Sequence, residues 1–248
     1  MNRKFTKPVS MTDKPSHYCP GCGHGIVHRL VCEVIDELGV REKTVAVAPV
    51  GCAVIAYDYW DFDTLEAAHG RTPAVATGIK RVIPDRLVFT YQGDGDLAAI
   101  GTAEIIHAGN RGENISVVFV NNGVYGMTGG QMAPTTLIGQ TTATSQFTRR
   151  PEKEGFPIKI LEMMALLPGV AYLERTSVHS PIEVLKTKKA IKRSFETQLE
   201  QKGFSMVEVL SPCPTYWGMS PVRSMERIEK EVTKQYPLGV VKPISGDS

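Results

Sequence analysis

The sequence predicts an α/β fold, a doubly wound, mostly parallel sheet with helices on both faces. Three observations predict it. Short β-branched runs alternate along the chain with segments of helical period. TVAVAPV (44–50) reads as a buried strand and ISVVFVN (115–121) as a strongly β-branched one, as in a parallel sheet covered on both faces. Conspicuous glycines, cysteines and asparagines follow the runs, on the edge where ligands gather in open parallel sheets.

Each element has its own reason. Residues 24–38 (HGIVHRLVCEVIDEL) carry apolar residues at helical spacing and stop at Gly39, a helix terminator. TVAVAPV (44–50) reads as a buried strand, 72–82 as a helix and LVFTYQ (87–92) as a strand. LAAIGTAEIIHAGN (97–110) is helical, and ISVVFVN (115–121) is a strongly β-branched strand. Residues 134–157 have no period and are rich in Thr, a long loop of the functional or mobile kind. Helical and extended patterns then resume at 158–167, VAYLERTS (170–177), a Lys-rich helix at 181–202, SMVEVL (205–210) and a last helix near 221–234. The tail, 236–248, reads as irregular. There is no internal repeat. Residues 1–248 are expected to form a single domain that starts with a loop at 1–23.

Composition bounds the function. The 248 residues are 42% hydrophobic, enough for a core without disulfide staples. With 28 basic against 26 acidic residues, no nucleic-acid footprint spreads over the surface. The first residues lack the apolar core of a secretory signal, and no apolar run reaches membrane-spanning length. The expected compartment is the cytoplasm, with no membrane association. Five cysteines are odd in number and too sparse for a disulfide scaffold, so metal or redox chemistry is the expectation.

Gly93-Asp94-Gly95 lies between a strand and a helix, where glycines let backbone approach a phosphate and the helix start offers N–H groups. Alone it could be a tight turn with a capping Asp. It also fits the Ala variant of the dinucleotide fingerprint, Gly93-x-Gly95-x-x-Ala98. That fingerprint needs an acidic residue at the end of the next strand, and Asn121-Asn122 stands there instead. Asparagine suits a hard cation such as Mg²⁺, which takes oxygen ligands and shares itself with phosphates. Asp94, Asn122 and a backbone carbonyl after Asn122 can converge from adjacent strand ends.

Cys19-Pro20-Gly21-Cys22 is a C-x-x-C before a helix. A thioredoxin-like pair would need a preceding strand, and a zinc ribbon a second C-x-x-C. The remaining candidates are the single residues Cys52 and Cys213, both on the ligand edge. Four scattered thiolates suit a Cys₄ iron–sulfur cluster or zinc equally. Cys32, inside the first helix, reads as a buried apolar residue.

GDG, 25 residues and then NN resembles the thiamine diphosphate-binding motif. CPGCGH, an isolated GC, HGR, GDGD, NNGVYGMTGGQ and SPCP follow one another in this order. The set resembles the β subunit of a 2-oxoacid:ferredoxin oxidoreductase, from about Tyr18 to Trp217, and most resembles the branched-chain (2-oxoisovalerate) type. A 2-oxoglutarate-type Lys is absent from Thr128-Gly129-Gly130-Gln131.

The resemblance implies a thiamine diphosphate-binding fold. Asp94, Asn122 and the carbonyl of Val124 would bind Mg²⁺. Cys19, Cys22, Cys52 and Cys213 would bind a [4Fe–4S] cluster, so 1–23 would be the cluster-binding loop. Gly93, Gly95 and Asp96 would border the diphosphate, while Cys52, Tyr125, Gly126, Met127 and Thr128 would line the cofactor. His69 and Arg71 are the implied catalytic contacts. The implied reaction is oxidative decarboxylation of a 2-oxoacid with coenzyme A, with electrons passing to ferredoxin. Its partners would be an α subunit supplying the pyrimidine-binding domain and the activating Glu, with γ and ferredoxin-like δ subunits. This chain alone would be inactive. The helix from Lys186 to Lys202 reads as a solvated face or, less simply, a docking face for acidic ferredoxin.

Overall fold

The computed structural model describes residues 6–244, so the ends of the 1–23 loop and of the 236–248 tail lie outside the described residues. Helix α1, His24–Leu38, ends at Gly39, whose positive φ of 66° lets its N–H reach the Asp36 and Ile35 carbonyls. Strands β1 (Thr44–Pro49) and β2 (Asp63–Ala67) precede α2 (Thr72–Val82) and β3 (Leu87–Gly93). The next helix opens with a π turn at Asp96–Ile100 and continues as α3, Thr102–Asn110. Strand β4 is Ser116–Asn121, α4 is Ile160–Ala165 and β5 is Val170–Ser177. Helix α5, Pro181–Leu199, starts on a Ser180 cap that accepts from the Glu183 N–H, with Pro at its first position. Strand β6 (Phe204–Leu210), α6 (Pro221–Arg227) and β7 (Gly239–Lys242) complete the chain.

The sheet order is β7-β5-β6-β4-β3-β1-β2. Every pairing is parallel except β7 on β5. Strands β1, β4 and β6 are buried along their whole length, which explains why apolar residues dominate them; the buried Glu208 of β6 is the charged exception. One core lies between the sheet and α1 and α5, built on Val31, Ile35, Phe89 and Phe195. The other lies beneath α2, α3 and α4, on Val88, Ile105, Phe119 and Met164. The sheet is thus covered on both faces, as the sequence predicts.

The sequence reading misses the two edge strands. Strand β2 (DTLEA) is mostly exposed, so its residues carry no apolar run. Strand β7 corrects the expectation of an irregular tail. It is short, half exposed and follows Pro237, and only pairing with β5 makes it a strand. The 134–157 segment lacks long elements, as expected, but holds a small ribbon of Thr141–Thr142 against Ser145–Thr148. Among the described residues, no helix is long and apolar enough to cross a membrane.

Candidate functional site

The four strands that carry the conspicuous residues are consecutive in the sheet, in the order β6, β4, β3, β1. Their carboxyl ends therefore bring Cys213, Asn121-Asn122, Gly93-Asp94-Gly95 and Gly51-Cys52 to one edge. One cavity there is lined by Cys52, His69, Gly93 to Asp96, Asn122 and Val124 to Thr128.

Asp94 forms the floor of this cavity and is buried. One carboxylate oxygen accepts from Gly95 N at 2.9 Å, and the other accepts from Gly123 N at 2.7 Å and Thr135 Oγ1 at 2.6 Å. Burial nevertheless pushes its carboxyl up to about 6. Gly123 takes φ of 70°, which turns the chain so that Asn122 and Val124 both line the cavity. Asn122 Oδ1 accepts from Val124 N at 3.0 Å, and the Asn122 carbonyl accepts from Trp217 Nε1 at 3.0 Å. Gly95 is needed because the Tyr125 ring lies against it: a Cβ there would sit 2.1 Å from Tyr125 Cε1. Asn121, by contrast, turns away. Its amide donates to Glu208 at 2.7 Å, and Glu208 accepts from the buried Arg175, which also pairs with Glu162. Burial holds the Glu208 carboxyl above its usual range despite Arg175.

Asp96 borders the cavity, but its oxygens are committed elsewhere. Oδ1 takes His69 Nδ1 at 2.6 Å and the Gly70 N–H, and Oδ2 takes Gln92 Nε2 at 2.6 Å. Asp96 therefore fixes the His69-Gly70 turn, and His69 lines the cavity. The π turn brings Gly101 so close to that turn that a Cβ would lie 2.7 Å from the Gly70 carbonyl. Arg71 is not among the lining residues. Its guanidinium, about half exposed, pairs with Glu104.

Cys19, Cys22, Cys52 and Cys213 line a second cavity of about 230 Å³, together with His24, Asn122, Gly126 and Met127. The CPGCG loop reaches it by close backbone packing. Gly21 takes φ of 78° with a Cβ position 2.5 Å from Pro221 Cβ, and a Cβ on Gly23 would lie 2.2 Å from Ser211 Oγ. Gly23 N donates to the Pro212 carbonyl, joining the loop to the end of β6. Cys22 precedes the first turn of α1 and accepts from the His24 N–H, and Cys213 caps a short helix, Pro214–Trp217, and accepts from the Tyr216 N–H. Burial pushes the Cys22 thiol up to about 12 and those of Cys52 and Cys213 up to about 11. Among the described residues, no three His, Cys, Asp or Glu groups are arranged around a single ion. Cys32 lies apart and donates to the Ser10 carbonyl.

The two cavities share a wall of His24, Cys52, Asn122, Gly126 and Met127. At its thinnest, a Cβ on Gly126 would approach the Cys52 sulfur to 2.9 Å.

Sequence reasoning misses Thr135, Trp217 and Arg149. Arg149 is buried and donates to the carbonyls of Ala133, Pro134, Thr136, Glu154, Gly155 and Phe156, stapling the aperiodic loop that delivers Thr135 to Asp94. The loop's length without period is the only sequence signal that it matters.

The chain is similar to several known proteins. Residues 49–209 match the family of the thiamine pyrophosphate enzyme C-terminal TPP-binding domain. The ketoisovalerate oxidoreductase subunit VorA of Methanothermobacter marburgensis is 50% identical over 238 residues, covering 96% of this chain and 50% of that protein. VorA of Methanothermobacter thermautotrophicus is 49% identical over 94% of this chain and 49% of its own length. The chain thus spans about half the length of these two curated relatives. The 2-oxoglutarate synthase subunit KorB of Methanocaldococcus jannaschii is 38% identical over 82% of this chain and 72% of that protein. A solved 2-oxoglutarate:ferredoxin oxidoreductase from Magnetococcus marinus, with 2-oxoglutarate, coenzyme A and succinyl-CoA bound, superposes with a TM-score of 0.79 at 26% identity. It covers 99% of this chain and 87% of that one. A strand edge that pairs an Asp–Asn corner with a four-cysteine cavity is thus found in a chain that belongs to the thiamine pyrophosphate-dependent 2-oxoacid:ferredoxin oxidoreductase family.

Proposed function

We propose that this chain is the β subunit of a branched-chain 2-oxoacid:ferredoxin oxidoreductase. The complex would convert a 2-oxoisovalerate-like acid and coenzyme A to acyl-CoA and CO₂. The observation that carries the reading is the wall shared by the two cavities. A one-electron carrier must lie beside the carbon it oxidises, and Cys52 and Gly126 belong to both sites. The branched-chain assignment is supported by the two VorA relatives.

Thiamine diphosphate, when bound, supplies the electron sink that decarboxylation requires, and a [4Fe–4S] cluster takes electrons singly. The donor sets fit both groups. Asp94, Asn122 and the Val124 carbonyl offer Mg²⁺ the oxygen ligands it prefers. Gly93 and Gly95 leave backbone free to meet the diphosphate. Four cysteines line one cavity of about 230 Å³, a thiolate set that an iron–sulfur cluster takes. The chain's own work is positional. Asp96 holds His69 by Nδ1, leaving Nε2 for a polar contact in the cavity. Tyr125, Met127 and Thr128 form the cavity wall next to the cysteines. Arg71, outside the cavity lining and paired with Glu104, would meet substrate only if that pair opens.

The activating Glu would come from an α subunit, and γ and ferredoxin-like δ subunits would carry electrons outward to ferredoxin. Anaerobic purification with the partner subunits tests the reading. The expected result is a brown complex with four iron atoms per copy of this chain beyond those of the partners, bound thiamine diphosphate, and turnover fastest on 2-oxoisovalerate. Colourless protein with one zinc and no thiamine would instead identify a scaffold. Preference for 2-oxoglutarate or pyruvate would overturn the branched-chain assignment, and activity of this chain alone would overturn the heteromeric one.

A further inference from the structure

His24 stands in the wall between the cavities, two residues after Cys22, and its backbone N–H already bonds that sulfur. Its ring is buried and stacks on Tyr18, with centroids 4.9 Å apart. On the core side, His24 Nδ1 meets the hydroxyl of Tyr91 at 2.7 Å. Tyr91 is fully buried, and His24 Nδ1 is the hydrogen-bond partner its hydroxyl has among the described residues. If His24 Nδ1 carried the proton, the Tyr91 O–H would be left as a buried orphan donor, which is costly. The hydroxyl therefore donates to Nδ1, and the ring's only N–H is at Nε2. With Nδ1 turned to the core, Nε2 is the ring's polar atom on the cavity side.

A parallel argument fixes the next histidine. Tyr18 donates to the Cys52 carbonyl at 2.8 Å, so its oxygen accepts from His28 Nε2 at 3.0 Å. That leaves His28 Nδ1 as a bare acceptor, consistent with its lack of a partner.

We propose that His24 Nε2–H donates a hydrogen bond to a sulfur of the cluster held by the four cysteines, and that Tyr91 selects the tautomer that makes this possible. His24 is then a positioning residue for electron transfer. Hydrogen bonds to cluster sulfur favour the reduced state and raise the reduction potential. The inference rests on the cluster assignment above.

The test is a redox titration, followed by electron paramagnetic resonance, of the iron-loaded protein. In His24→Phe the midpoint should move to more negative values. At the wild-type midpoint the reduced-to-oxidised ratio should fall about tenfold, which is ~59 mV for one electron. Tyr91→Phe should shift it the same way by less, because the tautomer is then free to exchange. An intact cluster with an unchanged midpoint in both variants overturns the proposal. If His24→Phe loses its iron, Tyr91→Phe alone decides. Wild-type protein that binds no iron refutes the cluster assignment itself, a distinguishable outcome.

Discussion

The Asp–Asn corner and the cysteine cavity meet at one wall, yet they are built on opposite principles. In the corner, the protein has already aimed three donors at Asp94, from Gly95, Gly123 and Thr135. The anion is held before any cation arrives. In the cysteine cavity Cys22, Cys52 and Cys213 each meet a single backbone N–H, and burial drives these three thiols up to about 11 or 12. There the charge balance must come from the occupant. The corner is preorganised by the protein's own donors, whereas the cavity is shaped by the fold and completed electrostatically by what it binds.

The sharpest way to break the comparison is to remove one proposed ligand from each side. Cys213→Ser should abolish stable iron binding, while Mg²⁺-dependent thiamine diphosphate affinity stays within about threefold. Iron analysis and calorimetry on the same sample would read both, and parallel losses would show the sites to be one unit. Asp94→Asn should do the reverse, lowering thiamine diphosphate affinity by about 100-fold with iron retained.

Proton competition sharpens the corner further. With the Asp94 carboxyl raised to about 6 by burial, a proton occupies it at pH 5 in the metal-free chain. Mg²⁺ must displace that proton, so affinity should fall about tenfold per pH unit below 6 and level off above it. In the metal-free chain the sign for stability is opposite to that of an ion-paired Asp. The contribution is present below the ordinary carboxylate range and is lost as pH rises through about 6. Thermal melts from pH 4 to 8, with and without Mg²⁺, would read this; identical pH profiles would contradict it.

Smaller effects test how the corner is held. Arg149→Met leaves buried carbonyls without donors and should cost about 3 kcal/mol, lowering the melting temperature and opening 133–156 to proteases. Thr135→Val removes one of the Asp94 donors and should weaken Mg²⁺-dependent binding about fivefold, ~1 kcal/mol. Neither change should alter iron content.

Much of the corner was legible because it is local. GDG and NN lie at the ends of adjacent strands, and the strand–helix–strand unit between them sets their spacing. Arg175, Glu162 and Glu208 were not legible, because their pairing joins β5, α4 and β6 across the core. The same holds for Trp217 on the Asn122 carbonyl, 95 residues away in sequence. Arg71 shows the converse. Its motif suggested a substrate contact, but the turn that Asp96 fixes for His69 leaves Arg71 on Glu104.

By itself the sequence determined the doubly wound class, the central strands and the residues of the ligand edge. Apolar period and strand-end chemistry are written in neighbouring residues. Only the tertiary structure decided that β2 and β7 close the sheet, since exposed edge strands take their shape from a partner rather than from an apolar pattern. It also decided that four cysteines spread from Cys19 to Cys213 line one cavity. That gathering depends on the order β6-β4-β3-β1 and on glycines that let the first loop press against the end of β6, and neither is a local property of the chain.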